Sequence, residues 1–107
     1  MRHHRTGRIA VIFASTRNRT DDAGYAAAAE AMDVLAAAQP GYCGIDSVRD
    51  PDGRGITVSY WIDDAAAIAW RDHPCHRATR DEGRARWYSD YSVTVARVER
   101  DYDWSGE

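Results

Sequence analysis

The spacing of apolar and polar positions divides the first part of the chain into two regular elements. Residues 8–15 carry β-branched and aromatic side chains on both faces, which is typical of a strand buried on two sides. After Asp21 and Asp22, which can cap a helix, apolar residues recur at helical spacing until Gln39-Pro40-Gly41 ends the pattern. The start of the chain therefore predicts one strand and then a helix of about four turns.

A β-hairpin is predicted next, because residues 42–50 and 55–62 flank a Pro-Asp-Gly turn. Alternate residues of its second strand point to opposite sides of a sheet. The purely apolar side, which we expect to be the core face, carries Ile56, Val58, Tyr60 and Ile62. The opposite side is mixed and carries Thr57, Ser59 and Trp61.

The second half of the chain predicts two short helical segments and a last strand. Asp63 or Asp64 caps the first helix, and His73-Pro74 breaks it, since a residue before proline disfavours helix. The second segment spans 75–87, and residues 91–102 alternate well enough to form a strand. The resulting order is βαββαβ.

This order predicts an α+β, ferredoxin-like domain with a four-stranded antiparallel sheet and its helices on one face. We assign residues 8–104 to the domain and residues 1–7 to a flexible N-terminal tail. The other face of the sheet needs cover, and a chain this short encloses a large site only with difficulty. We therefore expect a homodimer in which two sheets face each other, with Thr57, Ser59 and Trp61 beside a partly hydrated chamber.

Composition removes several function classes. The 107 residues carry a formal net charge of -3, so no broad basic field favours nucleic acid or a membrane surface. The sequence has neither the long apolar run of a membrane span nor the apolar core of a signal peptide, which predicts a cytoplasmic protein. Cys43 and Cys75 lack the spacing of a disulfide framework or a zinc site, and no hydrolase triad or phosphate loop is present.

The residues between Gly55 and Tyr91 add a more specific signal. Their distinctive positions are the strand Gly55-Ile-Thr-Val-Ser-Tyr-Trp61 followed by Ile68, Trp70, His73, His76, Gly83, Arg84, Trp87, Tyr88 and Tyr91. This pattern resembles that of bacterial antibiotic-biosynthesis-monooxygenase (ABM) domains, and the likeness extends to residues 11–15, 40–42 and 96–100. The resemblance implies a dimeric α+β barrel, with members that oxygenate aromatic polyketides without a cofactor and relatives that bind or degrade haem.

His76 is the sharpest candidate for a catalytic group. On a helix it shares a face with Arg80, Gly83 and Trp87, so its imidazole can serve as a base or as a haem ligand. The alternative is a solvated helix histidine. Haem-degrading relatives place their ligand histidine ten residues after a helix tryptophan, and here that position after Trp70 is Arg80. This departure disfavours haem degradation.

The predicted catalytic set is His76 as the base, with Arg80 and Trp61 to orient a substrate anion. The predicted substrate-binding residues are aromatic side chains, hydroxyl groups on central strands and a glycine that leaves room for a flat ligand. They are Ser15, Thr57, Ser59, Trp70, Gly83, Trp87 and Tyr91. Core packing is the alternative for each tryptophan and tyrosine, and tight helix packing is the alternative for the glycine.

Three functional hypotheses follow. The leading one is a small monooxygenase that acts on an aromatic or polyketide-like molecule without a cofactor. The second is a haem protein in which His76 is the proximal ligand and the only metal-binding residue. The third is a non-catalytic dimer whose aromatic cavity binds a small molecule.

Overall fold

A computed structural model describes residues 4–106 and contains the predicted order of elements. The elements are β1 (Ile9–Arg17), α1 (Asp22–Ala37), β2 (Tyr42–Arg49), β3 (Arg54–Trp61), α2 (Asp64–Arg71), α3 (Pro74–Glu82), a π-helical turn (Gly83–Trp87) and β4 (Tyr88–Arg97). The βαββαβ prediction is thereby confirmed, with α2 and α3 together filling the place of the second helix. Among the described residues, no helix has both the length and the apolar character needed to cross a membrane.

Short polar side chains set the starts of the helices. The Asp21 carboxylate accepts the backbone N–H of Gly24, and the Asp63 carboxylate accepts that of Ala66. At α3, the His73 ring accepts the backbone N–H of Cys75, and Pro74 occupies the first turn. Asp21 and Asp63, rather than the aspartates that follow them, are therefore the caps.

The four strands form one antiparallel sheet in the order β2-β3-β1-β4. The central strands β1 and β3 are adjacent and pair Ile9 with Trp61 and Val11 with Ser59. The last strand was expected over residues 91–102 but spans Tyr88–Arg97, because the ladder with β1 already begins at Tyr88.

The predicted assignment of faces on β3 is wrong. Trp61 is completely buried and Ser59 is 9% exposed, whereas Ile56 and Ile62 are 45% and 50% exposed. The helices therefore cover the mixed side of β3, and the purely apolar side lies on the outer face of the sheet. Trp61 decides the orientation, because it packs with Ile9, Trp70 and the small residues Ala36 and Ala67 in the core cluster.

Residues 5–7 contact residues 98–101 at one end of β1 and β4. The backbone N–H of Gly7 donates to Val98 O, and the Asp101 carboxylate accepts hydrogen bonds from the backbones of Arg5 and Thr6. The Arg5 guanidinium lies 4.1 Å from the centre of the Tyr60 ring. Of the predicted tail over residues 1–7, residues 1–3 lie outside the described residues, and residues 5–7 make these contacts with the domain.

Candidate functional site

A cavity of about 480 Å³ lies between the sheet and the helices. Its walls come from the helix-facing sides of the four strands and from α1, α2, α3 and the π-helical turn. Thr57 and Ser59 line it from β3. The chamber was expected between two sheets of a dimer, and that expectation is wrong for these residues, because their side of β3 faces the helices of the same chain.

His76 lines this cavity from α3 and is held by two contacts with one residue. Its Nδ1 lies 2.9 Å from the carbonyl oxygen of Trp70. Its ring also stacks on the Trp70 indole, with centroids 4.4 Å apart and ring planes 9° apart. A carbonyl oxygen only accepts hydrogen bonds, so Nδ1 carries the proton and Nε2 of the neutral ring keeps its lone pair.

The environment of His76 favours this neutral form. Burial lowers the pKa of His76 below its usual range, and the nearby charges of Arg80 and His73 lower it further. The hydrogen bond to Trp70 acts in the opposite direction, because it favours the protonated ring. Since burial is the largest of these effects, the imidazole can accept a proton through Nε2 at neutral pH.

A stack of indole rings supports the histidine from behind. Trp61 packs against Trp70 with ring centroids 6.0 Å apart and planes 24° apart. The Trp61 Nε1–H donates to Ser59 Oγ at 2.9 Å, which satisfies its buried polar group. Trp61 was predicted as a catalytic residue, but it is 0% exposed and does not line the cavity. It supports the site from behind, through its contacts with Trp70 and Ser59.

Arg80 lines the cavity one helical turn after His76. Its Nη1 donates weakly to Arg71 O at 3.5 Å, and its buried Nε–H has no hydrogen-bond partner among the described residues. A buried N–H without an acceptor is costly. The side chain as a whole lines the cavity, so its positive charge can attract an anionic molecule there, which is the chemistry that the sequence suggested for Arg80.

Hydroxyl groups from β2 and β3 form a polar strip on the floor of the cavity. Thr57 and Ser59 were predicted for this role, and both line the cavity. Ser47 was missed by the sequence analysis, although its Oγ lies 2.6 Å from the Thr57 hydroxyl. Its contribution follows from the register between β2 and β3, which places Ser47 opposite Thr57. Ser15 is completely buried, accepts a hydrogen bond from Arg49 and does not line the cavity.

The other end of the cavity is aromatic. Tyr91 and Trp87, both predicted to bind substrate, line it together with Phe13, Tyr25 and Tyr88. Phe13 lies 5.3 Å from Tyr88 and 5.2 Å from Tyr91 between ring centroids. Burial raises the pKa of Tyr88, and the neighbouring Tyr25 raises it further, so the Tyr88 phenol stays protonated. The sequence analysis placed Tyr25 on the apolar face of a helix but gave no signal that it would reach a site.

Gly83 does not line the cavity, although it was predicted to make room for a ligand. A Cβ atom at this position would lie 2.9 Å from Cε2 of Tyr88. The missing side chain therefore makes room for the Tyr88 ring, which corresponds to the tight-packing alternative.

No group of three or more histidine, cysteine, aspartate or glutamate side chains within residues 4–106 is arranged to hold a metal ion. His76 is the histidine among the cavity-lining residues.

Comparison with known proteins identifies relatives of the chain. A family model described as "Antibiotic biosynthesis monooxygenase" matches residues 8–82. The uncharacterized protein YqjZ of Bacillus subtilis (strain 168) is 52% identical over 91 residues, which are 85% of this chain and 79% of that protein.

Solved structures share the fold at low sequence identity. A mutant of SnoaB of Streptomyces nogalater, described as a cofactor-independent oxygenase, has a TM-score of 0.77 and 14% identity over 90% of this chain and 97% of that chain. Rv0793 of Mycobacterium tuberculosis has a TM-score of 0.73 and 18% identity over 92% of this chain and 99% of that chain.

Proposed function

Because the chain belongs to the antibiotic biosynthesis monooxygenase family, we propose that it oxygenates an aromatic or polyketide-like molecule without a cofactor. The observation that carries this proposal is the state of His76. Its Nδ1–H is bonded to the Trp70 carbonyl, and burial lowers its pKa, which leaves a neutral Nε2 for a molecule in the cavity. A base of this kind starts the reaction.

The proposed reaction converts a ring CH₂ group and O₂ into a carbonyl group and water. Nε2 of His76 removes a proton from the acidic carbon, and the resulting carbanion gives one electron to O₂. The radical pair combines into a peroxide, which takes up a proton to become a hydroperoxide. Loss of water across the C–O–O–H unit then gives C=O. One O₂ is consumed and one oxygen atom remains in the product, so the atoms balance and the substrate itself supplies the electrons.

Arg80 and the hydroxyl strip are suited to hold the substrate anion in this reaction. The guanidinium of Arg80, a residue that lines the cavity, can stabilise the oxygen on which the carbanion's negative charge is delocalised. Thr57 and Ser59 offer hydroxyl groups to the oxygen atoms on the substrate rings. Val11 and Met32 add apolar walls, which limit the access of water to the reactive carbanion.

We also propose that the protein is a homodimer joined through the outer faces of its sheets. Ile56 and Val48 lie on that face and are 45% and 73% exposed. Val58 and Ile12 lie beside them in the register of β1 and β3. A second copy supplies a matching apolar face under twofold symmetry, and burying both would remove these side chains from water.

A haem-binding role is the second candidate, and the same histidine supports it. A ligating histidine commonly donates its other ring N–H to a carbonyl group, which is the arrangement of His76 and Trp70. In that role Nε2 of His76 would hold the haem iron, and haem would supply the activation of O₂. A Soret band after haem titration that is lost in His76→Ala but kept in His73→Asn would favour this role. Absence of the band in the wild-type protein would reject it.

Oxygen uptake with a panel of anthrol-type phenols tests the leading proposal. We expect uptake by the wild-type protein, with one atom of ¹⁸O₂ in the product by mass spectrometry. His76→Gln should reduce the rate about 10²- to 10⁴-fold, the usual contribution of a general base. His73→Asn is the matched control, because it keeps a capping side chain at a histidine that does not line the cavity. No uptake across the panel by folded wild-type protein, or full activity in His76→Gln, would overturn the proposal.

A further inference from the structure

We propose that Trp70 is a positioning residue that holds His76 in one tautomer and one orientation, so that Nε2 is the nitrogen available to the cavity. This inference deepens the proposed function and rests on His76 as the base of that reaction. Two parts of Trp70 hold the imidazole, namely the indole ring and the backbone carbonyl.

The backbone carbonyl of Trp70 is held in position by a contact other than the one with the imidazole. It accepts the backbone N–H of His73 at 3.1 Å and lies 2.9 Å from Nδ1 of His76. A carbonyl oxygen has two lone pairs, and these two donors use both of them. The hydrogen bond therefore sets which ring nitrogen carries the proton, and the start of α3 holds the acceptor in place.

The indole ring of Trp70 adds what a single hydrogen bond does not provide. One hydrogen bond leaves an imidazole free to swing about its own axis, whereas a stacked ring 4.4 Å away and tilted by only 9° defines its plane. The ring also covers one face of the imidazole and keeps water from it. The exclusion of water disfavours the charged ring, and the fixed plane keeps Nδ1 directed at the Trp70 carbonyl.

The indole ring is itself prevented from sliding. Trp70 is 8% exposed, and its ring stacks on Trp61, which is completely buried. Trp61 is held by the hydrogen bond from its Nε1–H to Ser59 Oγ and by edge contact with Tyr42, whose ring centroid is 5.8 Å away. Strand β3 therefore determines the position of the histidine through two stacked indoles.

Charged groups around the histidine come from three elements. His73 and Arg80 lower the pKa of His76 through their charges. Arg71 and Asp64 of α2 and Asp33 of α1 also line the cavity. None of these side chains is substituted in a Trp70 variant. A change in the pKa of His76 in such a variant therefore results from the loss of the indole ring.

Long-range ¹H–¹⁵N NMR of the full chain tests the inference without a substrate, since ¹⁵N shifts distinguish the two tautomers and follow protonation. His76 is assigned by its loss in His76→Gln. In the wild-type protein we expect the Nδ1–H tautomer of His76 and a titration midpoint below the ordinary histidine pKa. Trp70→Leu should show mixed tautomers and a midpoint moved up towards that value. Trp70→Phe, which keeps a stacking face, should retain most of the wild-type behaviour.

Trp87→Phe is the matched control, because Trp87 is a buried tryptophan that lines the other end of the same cavity. It should leave the His76 signals unchanged. If Trp70 were only a core residue, Trp70→Leu would lower the melting temperature while the folded protein kept the wild-type tautomer and midpoint. That result would overturn the inference, and circular dichroism identifies the folded fraction.

A kinetic measurement separates this inference from the proposed function. With a phenol that the wild-type protein oxygenates, Trp70→Leu should lower kcat about a hundredfold with little change in KM, as expected for a misplaced catalytic group. An altered tautomer in a protein without oxygenase activity would uphold the positioning role and reject the proposed reaction. An active protein whose tautomer and kcat do not respond to Trp70→Leu would uphold the reaction and reject the positioning role.

Discussion

The imidazole of His76 lies parallel to the indole of Trp70 at 4.4 Å, although six residues separate them along the chain. On one continuous helix, residues six apart are rotated by about 240° and do not stack. The contact exists because α2 ends at Arg71 and α3 begins at Pro74, so the chain changes direction between the two rings. The break between the helices thus builds the candidate site.

The first prediction concerns the pH dependence of activity. Because burial lowers the pKa of His76, the neutral base should be populated already at mildly acidic pH. We expect kcat/KM for oxygen uptake to rise with pH and to level off above a midpoint that lies below about 6.5, the usual value for histidine. A midpoint above that value, or a flat profile between pH 4.5 and 8.5, would contradict the assignment of His76 as the base.

The lowered pKa of His76 also predicts how folding stability depends on pH. The pKa of His76 is lower in the folded protein than in the unfolded chain, so the unfolded chain binds more protons between the two values. This contribution to stability is complete above about pH 6.5 and is lost as the pH falls through the folded-state value. Urea unfolding at several pH values should show this loss in the wild-type protein. The difference between wild type and His76→Gln isolates it from the other titrating groups.

A third prediction follows from the guanidinium group of Arg80, a residue that lines the cavity. If this group binds a substrate anion, Arg80→Gln should lose about 1.5–3 kcal/mol of transition-state stabilisation, the range for a hydrogen bond to a charged group. That loss is roughly a 10- to 100-fold decrease in kcat/KM. Arg77→Gln, on the exposed side of the same helix, serves as the control and should have no such effect. Equal kcat/KM in the two variants would show that Arg80 does not bind the substrate anion.

The fourth prediction concerns the hydrogen bond between Ser59 and Trp61. Ser59→Ala leaves the completely buried Nε1–H of Trp61 without an acceptor, which should cost about 1–3 kcal/mol of unfolding free energy. Ser47→Ala removes a hydroxyl from the exposed end of the same polar strip and should cost much less. Chemical denaturation of both variants measures the difference. Equal losses would show that the bond to Trp61 contributes little.

Local sequence features were sufficient to predict the order of elements. Pro74 marked the break between the two helices, and the Pro-Asp-Gly turn marked the hairpin. The proline at each of these two places restricts the backbone by itself, so its effect does not depend on distant contacts. Thr57 and Ser59 could be placed on one face for the same reason, because side chains alternate along any strand.

The face of β3 and the contacts of His76 could not be predicted in this way. Both sides of β3 carry large apolar residues, so alternation alone does not determine which side faces the helices. The choice depends on Trp61 meeting Trp70, a residue from another element. The stacking of His76 on Trp70 depends on how α2 and α3 pack, and Gly83 gave no sign that its partner would be the Tyr88 ring. These are tertiary contacts, for which a single sequence holds no periodic signal.

The last prediction tests the proposed dimer through Ile56 on the outer face of the sheet. This side chain is already 45% exposed in one chain, so Ile56→Asp should disturb the monomer fold only slightly. In a face-to-face dimer, however, the aspartate would be an unpaired charge in an apolar interface, which is strongly unfavourable. Native mass spectrometry should therefore show a dimer for the wild-type protein and a monomer for Ile56→Asp. Val34→Asp is the matched control, since Val34 is 69% exposed on α1, away from the sheet, and it should remain dimeric. If both variants keep the wild-type mass, the interface does not include the outer face of the sheet.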